Sequence, residues 1–303
     1  MTKMDIVLFR DAIIHISKIY RVINFNRGHC LLVGVGGSGR HSLTRLASYI
    51  SDMSSDYLQI RSDFSLRDFR FKLQSMYRHA AFGQKQPKTV FIFSDNDVVD
   101  EVFLEDIQNQ LNGGIVPNIF NTEDLYKIKD EVTFKKEYKR DGQTSENPDL
   151  QTEWLYRRIK DNMHLSICMS PIGEKFRNYT RMYPALINNT TIDWFMPWPL
   201  EALTEVADRF IGIMEIDQKF KSGLSQLSAY LHFVAQKEAD DMKKELRRIF
   251  YVTPTNFVEL LKGYDKIIRA KRNEIGANVT KLDTGLTKLE KAAEEVREMT
   301  AEA

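Results

Sequence analysis

The 303-residue chain has length enough for two compact domains, and its 43% hydrophobic and 28% charged residues are those of an ordinary folded protein. A formal net charge of +1 removes any bulk electrostatic case for nucleic acid or an anionic membrane surface. No apolar run approaches a membrane span, MTKMDIVLF carries no signal-peptide pattern, and the six histidines never fall at metal-ligand spacing with the two cysteines, so no membrane partner and no zinc are expected.

Residues 4–23 carry Ile6, Phe9, Ile13, Ile16, Ile19 and Ile23 at helical spacing, a stripe that would pack on a sheet. Val7 and Leu8 lead into it and are candidates to lie beside a nucleotide base. Asn24 to Gly28 then break the pattern. Cys30-Leu-Leu-Val33 suits a buried parallel strand, followed by Gly34, Gly36, Gly37 and Gly39 and by a helical pattern through Leu43, Leu46 and Ala47.

A strand, a glycine-rich turn and a helix gather backbone N–H groups and a helix N-terminus, which is the geometry that holds phosphate. Against G-x-x-x-x-G-K-[ST], Gly34 and Gly39 match, with Val35, Gly36, Gly37 and Ser38 between them. Arg40 stands in place of the lysine, His41 in place of the hydroxyl that binds magnesium, and Ser42 follows one position late. The cradle is complete and its catalytic fittings are altered. Arg40 keeps a positive charge, but as a planar fork rather than a point charge. The plainer alternative is a tight strand-to-helix turn.

Further on, Ser51–Asp56 reads as a polar loop, Tyr57–Ile60 as a short strand and 65–82 as a helix, with a turn at Gln84–Lys88. Thr89–Phe93 is a second buried strand, and Ser94-Asp-Asn-Asp97 follows at its C-terminal end, where ligands gather in open α/β sheets. Asp95 is therefore the candidate Mg²⁺ carboxylate, with Ser42 as the second candidate ligand, and the alternative for Asp95 is a turn cap. Its neighbour Asn96 can orient a water but cannot take its proton, and Asp97 would point away on an extended chain.

Val102–Leu111 reads as a helix, and 121–156 as a charged, solvated insertion with a polar loop at 141–149. His164–Met169 is a further buried strand. Ser170 at its end either reaches toward the γ-phosphate or only turns the chain before Pro171. Arg177 and Arg181 are either solvated surface or arginine fingers for a neighbouring site, and Thr190–Trp194 is the last strand.

The Pro/Trp-rich join Trp194–Pro199 marks a boundary, and the sequence beyond it is helical: 200–211, 219–237, 240–249 and Thr255 onward. From Ile275 the apolar positions Val279, Leu282, Leu286, Leu289, Ala293 and Val296 alternate by four and three, a heptad seam whose partner strand is absent from this chain.

These stretches together resemble the dynein heavy chains, and within them the fourth AAA+ module of the motor ring. The likeness is carried by LLVGVGGSGRHSLTRLA, VFIFSDNDVVDEVFLEDIQNQLNGGIVPNIF, CMSPIGEKFRNYTRMYPALINNTTIDWFMPWPLEAL and YVTPTNFVELL, and it covers essentially the whole chain. Arg40 looks more like the axonemal than the cytoplasmic members. The resemblance implies an α/β fold: a RecA-like P-loop AAA+ large subdomain over 1–198, a small all-α lid over 199–274, and the start of a stalk coiled-coil helix over 275–303. It implies ATP or ADP with Mg²⁺, Gly34–Ser42 as Walker A, Asp95 as the Walker B acid, Ser170 as sensor 1, and Arg181 or Arg177 as the finger reaching the third module's site. The lid arginine expected as sensor 2 falls at Thr255. It further implies neighbouring AAA+ modules, a second stalk strand with a microtubule-binding tip, dynein light and intermediate chains, and a place in the cytoskeleton of the cilium axoneme. With Arg40, His41, Asn96 and Thr255 as departures, the expectation is a regulatory nucleotide-binding module with slow or no hydrolysis. The alternatives are a purely structural link from ring to stalk and an active P-loop ATPase.

Overall fold

A computed structural model describes residues 7–83, 87–134 and 148–302. The chain divides into two compact units, Met1–Trp198 and Pro199–Ala303.

The first unit is built on five strands, β1 (Cys30–Gly34), β2 (Ser54–Tyr57), β3 (Thr89–Ser94), β4 (Met163–Met169) and β5 (Thr191–Phe195). All pair in parallel, in the order β2-β3-β4-β1-β5. β1, β3 and β4 are buried along their whole length, which is why they read as continuous apolar runs instead of alternating ones. Side chains alternate across the sheet. Leu31, Val33, Phe91, Phe93, Leu165 and Ile167 enter one core cluster, whereas Ser166 faces the other way and meets Thr44 at 3.1 Å.

The cluster is closed by α3 (Leu66–Phe82), α4 (Val102–Gly113), α5 (Thr122–Phe134) and α6 (Pro148–Asn162). A Ser65–Asp68 capping box starts α3. Tyr77, fully buried on α3, donates its hydroxyl proton to Gln110 and accepts from the Val116 amide at 3.2 Å, so its polar end is satisfied inside the core. Arg70 grips the buried Asp106 through two N–H groups at 2.9 and 3.1 Å. On the opposite face lie α1 (Arg10–Asn24) and α2 (Arg40–Ile50), packed on each other. Helices α7 (Lys175–Met182) and α8 (Ala185–Asn188) lie between β4 and β5.

Four expectations are corrected. The second strand is Ser54–Tyr57, and 58–60 has left the sheet. As an edge strand paired only with β3, β2 tolerates Ser and Asp on its open positions, while Leu58 turns into the core after its end. The charged segment 121–156 is not simply solvated, because Ile128 of α5 and Trp154 and Leu155 of α6 belong to the core cluster. Arg158 and Asn162 of α6 also donate to the carbonyls of Ala81 and Ala80 at the end of α3, at 2.6 and 2.8 Å. Residues 141–147 of the expected polar loop and 84–86 of the expected turn lie outside the described residues.

Third, Asp97 does not point away. The chain after β3 is a 3-10 turn over Asp95–Asp97, and Asp97 Oδ2 accepts the Ser94 amide at 2.8 Å. Fourth, the expected helices 219–237 and 240–249 are one helix, which ends at Leu246.

The second unit consists of α9 (Leu200–Gly212), α10 (Gln218–Leu246) and α11 (Pro254–Glu302). α9 packs on both others, and Lys221 Nζ bonds the Gly212 carbonyl at 2.7 Å. α10 stops at Arg247, which adopts the left-handed conformation (φ 54°). α11 runs 49 residues, about 74 Å at roughly 1.5 Å per residue. Phe257 and Leu261 near its start are buried, whereas Ile275, Val279, Leu282, Leu286, Leu289 and Val296 are all exposed.

Candidate nucleotide site

The cradle forms where β1 ends and α2 begins, at the C-terminal edge of the sheet. Gly34 permits a close approach: a Cβ there would stand 2.7 Å from Phe195 Cβ and 3.1 Å from Ser38 Oγ. Gly37 (φ 75°) and Gly39 (φ 92°) take left-handed conformations that side-chain-bearing residues avoid. The Ser38 amide closes a turn on the Val35 carbonyl at 3.3 Å, and the space over Gly36 is open.

Two polar atoms in this loop are buried without a partner among the described residues, Ser38 Oγ and Arg40 Nη1. Arg40 is 9% exposed, and its other terminal nitrogen donates to the Val35 carbonyl at 3.4 Å. A buried guanidinium N–H and a buried hydroxyl left over in a glycine-rich loop fit a ligand that supplies anionic oxygens. The residues therefore suit a phosphate chain. Beside them, desolvation lowers the His41 imidazole first and the Arg40 charge lowers it further, with Asp95 acting in the opposite direction. A neutral imidazole supplies no Ser/Thr-type hydroxyl to magnesium.

Asp95 follows β3, two strands from β1, and the intervening β4 is followed directly by Ser170. The Ser170 amide donates to Asp95 Oδ2 at 2.8 Å, and Ser94 Oγ donates to Oδ1 at 3.4 Å. Asp95 and Ser170 are thus brought together, but it is the Ser170 main chain that touches the carboxylate. Its hydroxyl accepts the Ile172 amide at 3.4 Å. Asn96, in the same turn, is exposed, and its amide is tied to Ser94 Oγ at 3.1 Å. Burial pushes the Asp97 carboxyl up to about 6, with the Ser94 amide opposing and the Asp95 charge adding to the rise. Between the strands, burial raises the Cys30 and Cys168 thiols to about 12, so neither is a nucleophile.

Among the described residues no group of three His, Cys, Asp or Glu side chains could hold a metal ion. Magnesium held by one carboxylate, phosphate oxygens and water does not require such a group, and Asp95 and Ser42 remain its candidate ligands.

A cavity of about 250 Å³ adjoins the cradle, bordered by Phe9, His15, Ser38, Leu43, Phe195 and Trp198 among others. Val7 and Leu8 precede α1 and do not line it. Leu8 is exposed, and Phe9, edge-on to Trp198 at 5.0 Å, takes the lining position instead. The sequence reading missed His15, Phe195, Trp198 and, behind them, Asp193. A single carboxylate inside the strand Thr191–Phe195 was the available signal.

Arg177 and Arg181 on α7 are both exposed. Arg177 lies 3.7 Å from Glu174, and Arg181 makes no ion pair among the described residues. Thr255 lies in the first turn of α11, in the second unit.

The family described as "P-loop containing dynein motor region D4" matches residues 4–267. Dynein axonemal heavy chain 2 of Homo sapiens is 42% identical over 301 residues, which is 99% of this chain and 7% of that protein. The mouse protein of the same name is 40% identical over the same share of each. The dynein-1-beta heavy chain of the flagellar inner arm I1 complex of Chlamydomonas reinhardtii is 39% identical over 98% of this chain and 6% of that protein. The chain thus spans less than a tenth of the length of these relatives.

Proposed function

The chain belongs to the dynein heavy-chain family, as the P-loop motor region D4, and on that premise we propose that it is a regulatory nucleotide-binding module with little or no hydrolysis of its own. One observation carries this reading: Ser38 Oγ and Arg40 Nη1 are buried in a glycine cradle without a partner among the described residues, and His41 next to them feels the charges of both Arg40 and Asp95. Backbone amides of Val35–Arg40 would hold the phosphates of ATP or ADP, and Asp95 with Ser42 would hold Mg²⁺ beside them. Magnesium would neutralise phosphate charge, while Arg40 adds a fixed positive fork.

Slow turnover follows from the chemistry of the departures. Asn96 cannot accept the proton of an attacking water, His41 offers no magnesium hydroxyl, and Thr255 supplies no charge where the family has a lid arginine. Arg181, exposed and unpaired among the described residues, is the better of the two finger candidates, since Arg177 has Glu174 beside it. The axonemal and flagellar names of the relatives support a place in the cilium axoneme, where neighbouring AAA+ modules and dynein light and intermediate chains would be its partners. By the same reading 199–274 is the lid, and 275–303 opens a stalk whose second strand and microtubule-binding tip lie elsewhere in the heavy chain.

A second reading, a structural link from ring to stalk, is favoured by the exposed heptad seam of α11. Calorimetric titration of nucleotide-stripped protein with ADP and ATP separates the two. Binding of either supports regulation, and no heat from either removes it. Asn96→Glu supplies the missing base. We expect it to raise ATP hydrolysis by about tenfold, less than the roughly 10²–10⁴-fold of a fully equipped general base, because Arg40 and His41 remain altered. An unchanged rate would assign the defect to Arg40 and His41, or to a neighbouring subunit's missing contribution.

A further inference from the structure

Arg40, the first residue of α2, folds back over the loop that precedes it. Its Nη2 donates to the Val35 carbonyl at 3.4 Å, and Nη1 shares the same carbon, so the whole guanidinium lies at the glycine loop. The residue is 9% exposed, and Nη1 has no hydrogen-bond partner among the described residues. Ser38 Oγ, two positions earlier, is buried and unpartnered in the same way. The Cys168 thiol of β4 feels the charges of both Arg40 and Asp95, so these two residues flank the end of the same strand. A buried cation with an idle N–H and no counter-charge is costly unless an anion joins it.

The groups that would hold a metal ion are weaker than the fixed cation. His41 offers a ring nitrogen where the motif has a hydroxyl, and magnesium favours oxygen. Ser42 follows one residue later, a rotation of about 100° around the helix axis. Asp95 is already engaged on both oxygens, by the Ser170 amide at 2.8 Å and by Ser94 Oγ at 3.4 Å. A guanidinium keeps its proton at any working pH and presents paired N–H groups that match two phosphate oxygens. The positive charge of this site is therefore mostly built into the chain.

We propose that Arg40 takes over the charge-neutralising part of the metal, so that the module binds the diphosphate of its nucleotide without Mg²⁺. Magnesium, where it joins at Asp95, adds little to the affinity. This rests on the nucleotide reading above and goes beyond it by separating nucleotide occupancy from metal.

The test is isothermal titration of the nucleotide-stripped 303-residue chain with ADP and with inorganic pyrophosphate, each in excess Mg²⁺ and in EDTA. For the unaltered chain the ADP affinity should differ by less than about threefold between the two conditions. Pyrophosphate should behave alike, which locates the effect on the phosphates. Arg40→Gln keeps an N–H donor and removes the charge. It should weaken ADP by about tenfold or more in EDTA, the loss of one charge-assisted hydrogen bond, and by less in Mg²⁺. An equal loss in both conditions would mark Arg40 as merely structural and overturn the inference. Arg40→Lys combined with His41→Thr restores the usual pair of the motif, and should bind ADP about tenfold more tightly in Mg²⁺ than in EDTA. Metal-independent binding that persists in this double variant would also overturn it. The decisive outcome needs no variant to fold: if EDTA weakens ADP tenfold or more in the unaltered chain, the inference fails and the nucleotide reading stands. Binding of neither ligand in either condition would overturn the nucleotide reading, and this inference with it.

Discussion

Asp97 illustrates how much one side chain near the cradle depends on its turn. Its carboxyl, raised to about 6, binds a proton in the folded chain that the unfolded chain releases nearer 4. Between those values the folded state holds more protons, so this group's contribution to stability falls as pH rises through the window and is flat above it. Asp97→Asn keeps an oxygen for the Ser94 amide and removes the charge. We expect it to stabilise the protein by about 1 kcal/mol at pH 7.5 and by almost nothing at pH 4, read from urea unfolding at both values. Buried His29 acts in the opposite sense. Burial, reinforced by His164, lowers its imidazole to about 4, which favours the folded state above pH 6.5 and is lost as pH falls toward 4. The difference between variant and parent isolates the Asp97 term from it. Which residues stand in the loop was legible in the chain, because G-x-x-x-x-G fixes spacing. The partnerships were not: that Arg40 folds back on Val35, that Asp97 closes onto Ser94, and that Asp193 backs His15 depend on residues up to 178 positions apart.

At the scale of elements, continuous apolar runs announced β1, β3 and β4 because both faces of those strands are covered. The edge strand β2 carries Ser54-Ser-Asp-Tyr57 and lacked that signal, so its position was misread by three residues. Segment 121–156 was misread for a different reason. Charge density masked the few anchors, Ile128 on α5 and Trp154 and Leu155 on α6, that pack into the core. The heptad seam of α11 was read from spacing, and its apolar positions are exposed along its whole length. Because burial is what makes a helix segment stabilise a fold, removing 275–303 should cost less than about 0.5 kcal/mol. Thermal unfolding of the chain ending at Glu274 checks this. A drop of several degrees relative to the full chain would show that the segment packs on something.

For the molecule as a whole, the two units predict two unfolding events, of which nucleotide should move one. A ligand at a hundredfold its dissociation constant adds about 2.7 kcal/mol to the state that binds it. Differential scanning calorimetry with ADP in that excess should raise the transition of the sheet-bearing unit by roughly 5–10 °C. An unmoved trace would argue for the structural link. The amino-acid sequence by itself determined the buried strands, the strand–loop–helix cradle and its altered residues, and the seam of the final helix. All of these are local: they need only the order and spacing of side chains along a few turns or one strand. The tertiary structure alone decided the strand order β2-β3-β4-β1-β5, the meeting of Asp95 with Ser170, and the cavity where α1, the cradle and β5 converge. Those require parallel strands distant in sequence to become neighbours, and such a choice is made by the packing energy of the whole sheet and not by any single stretch of it.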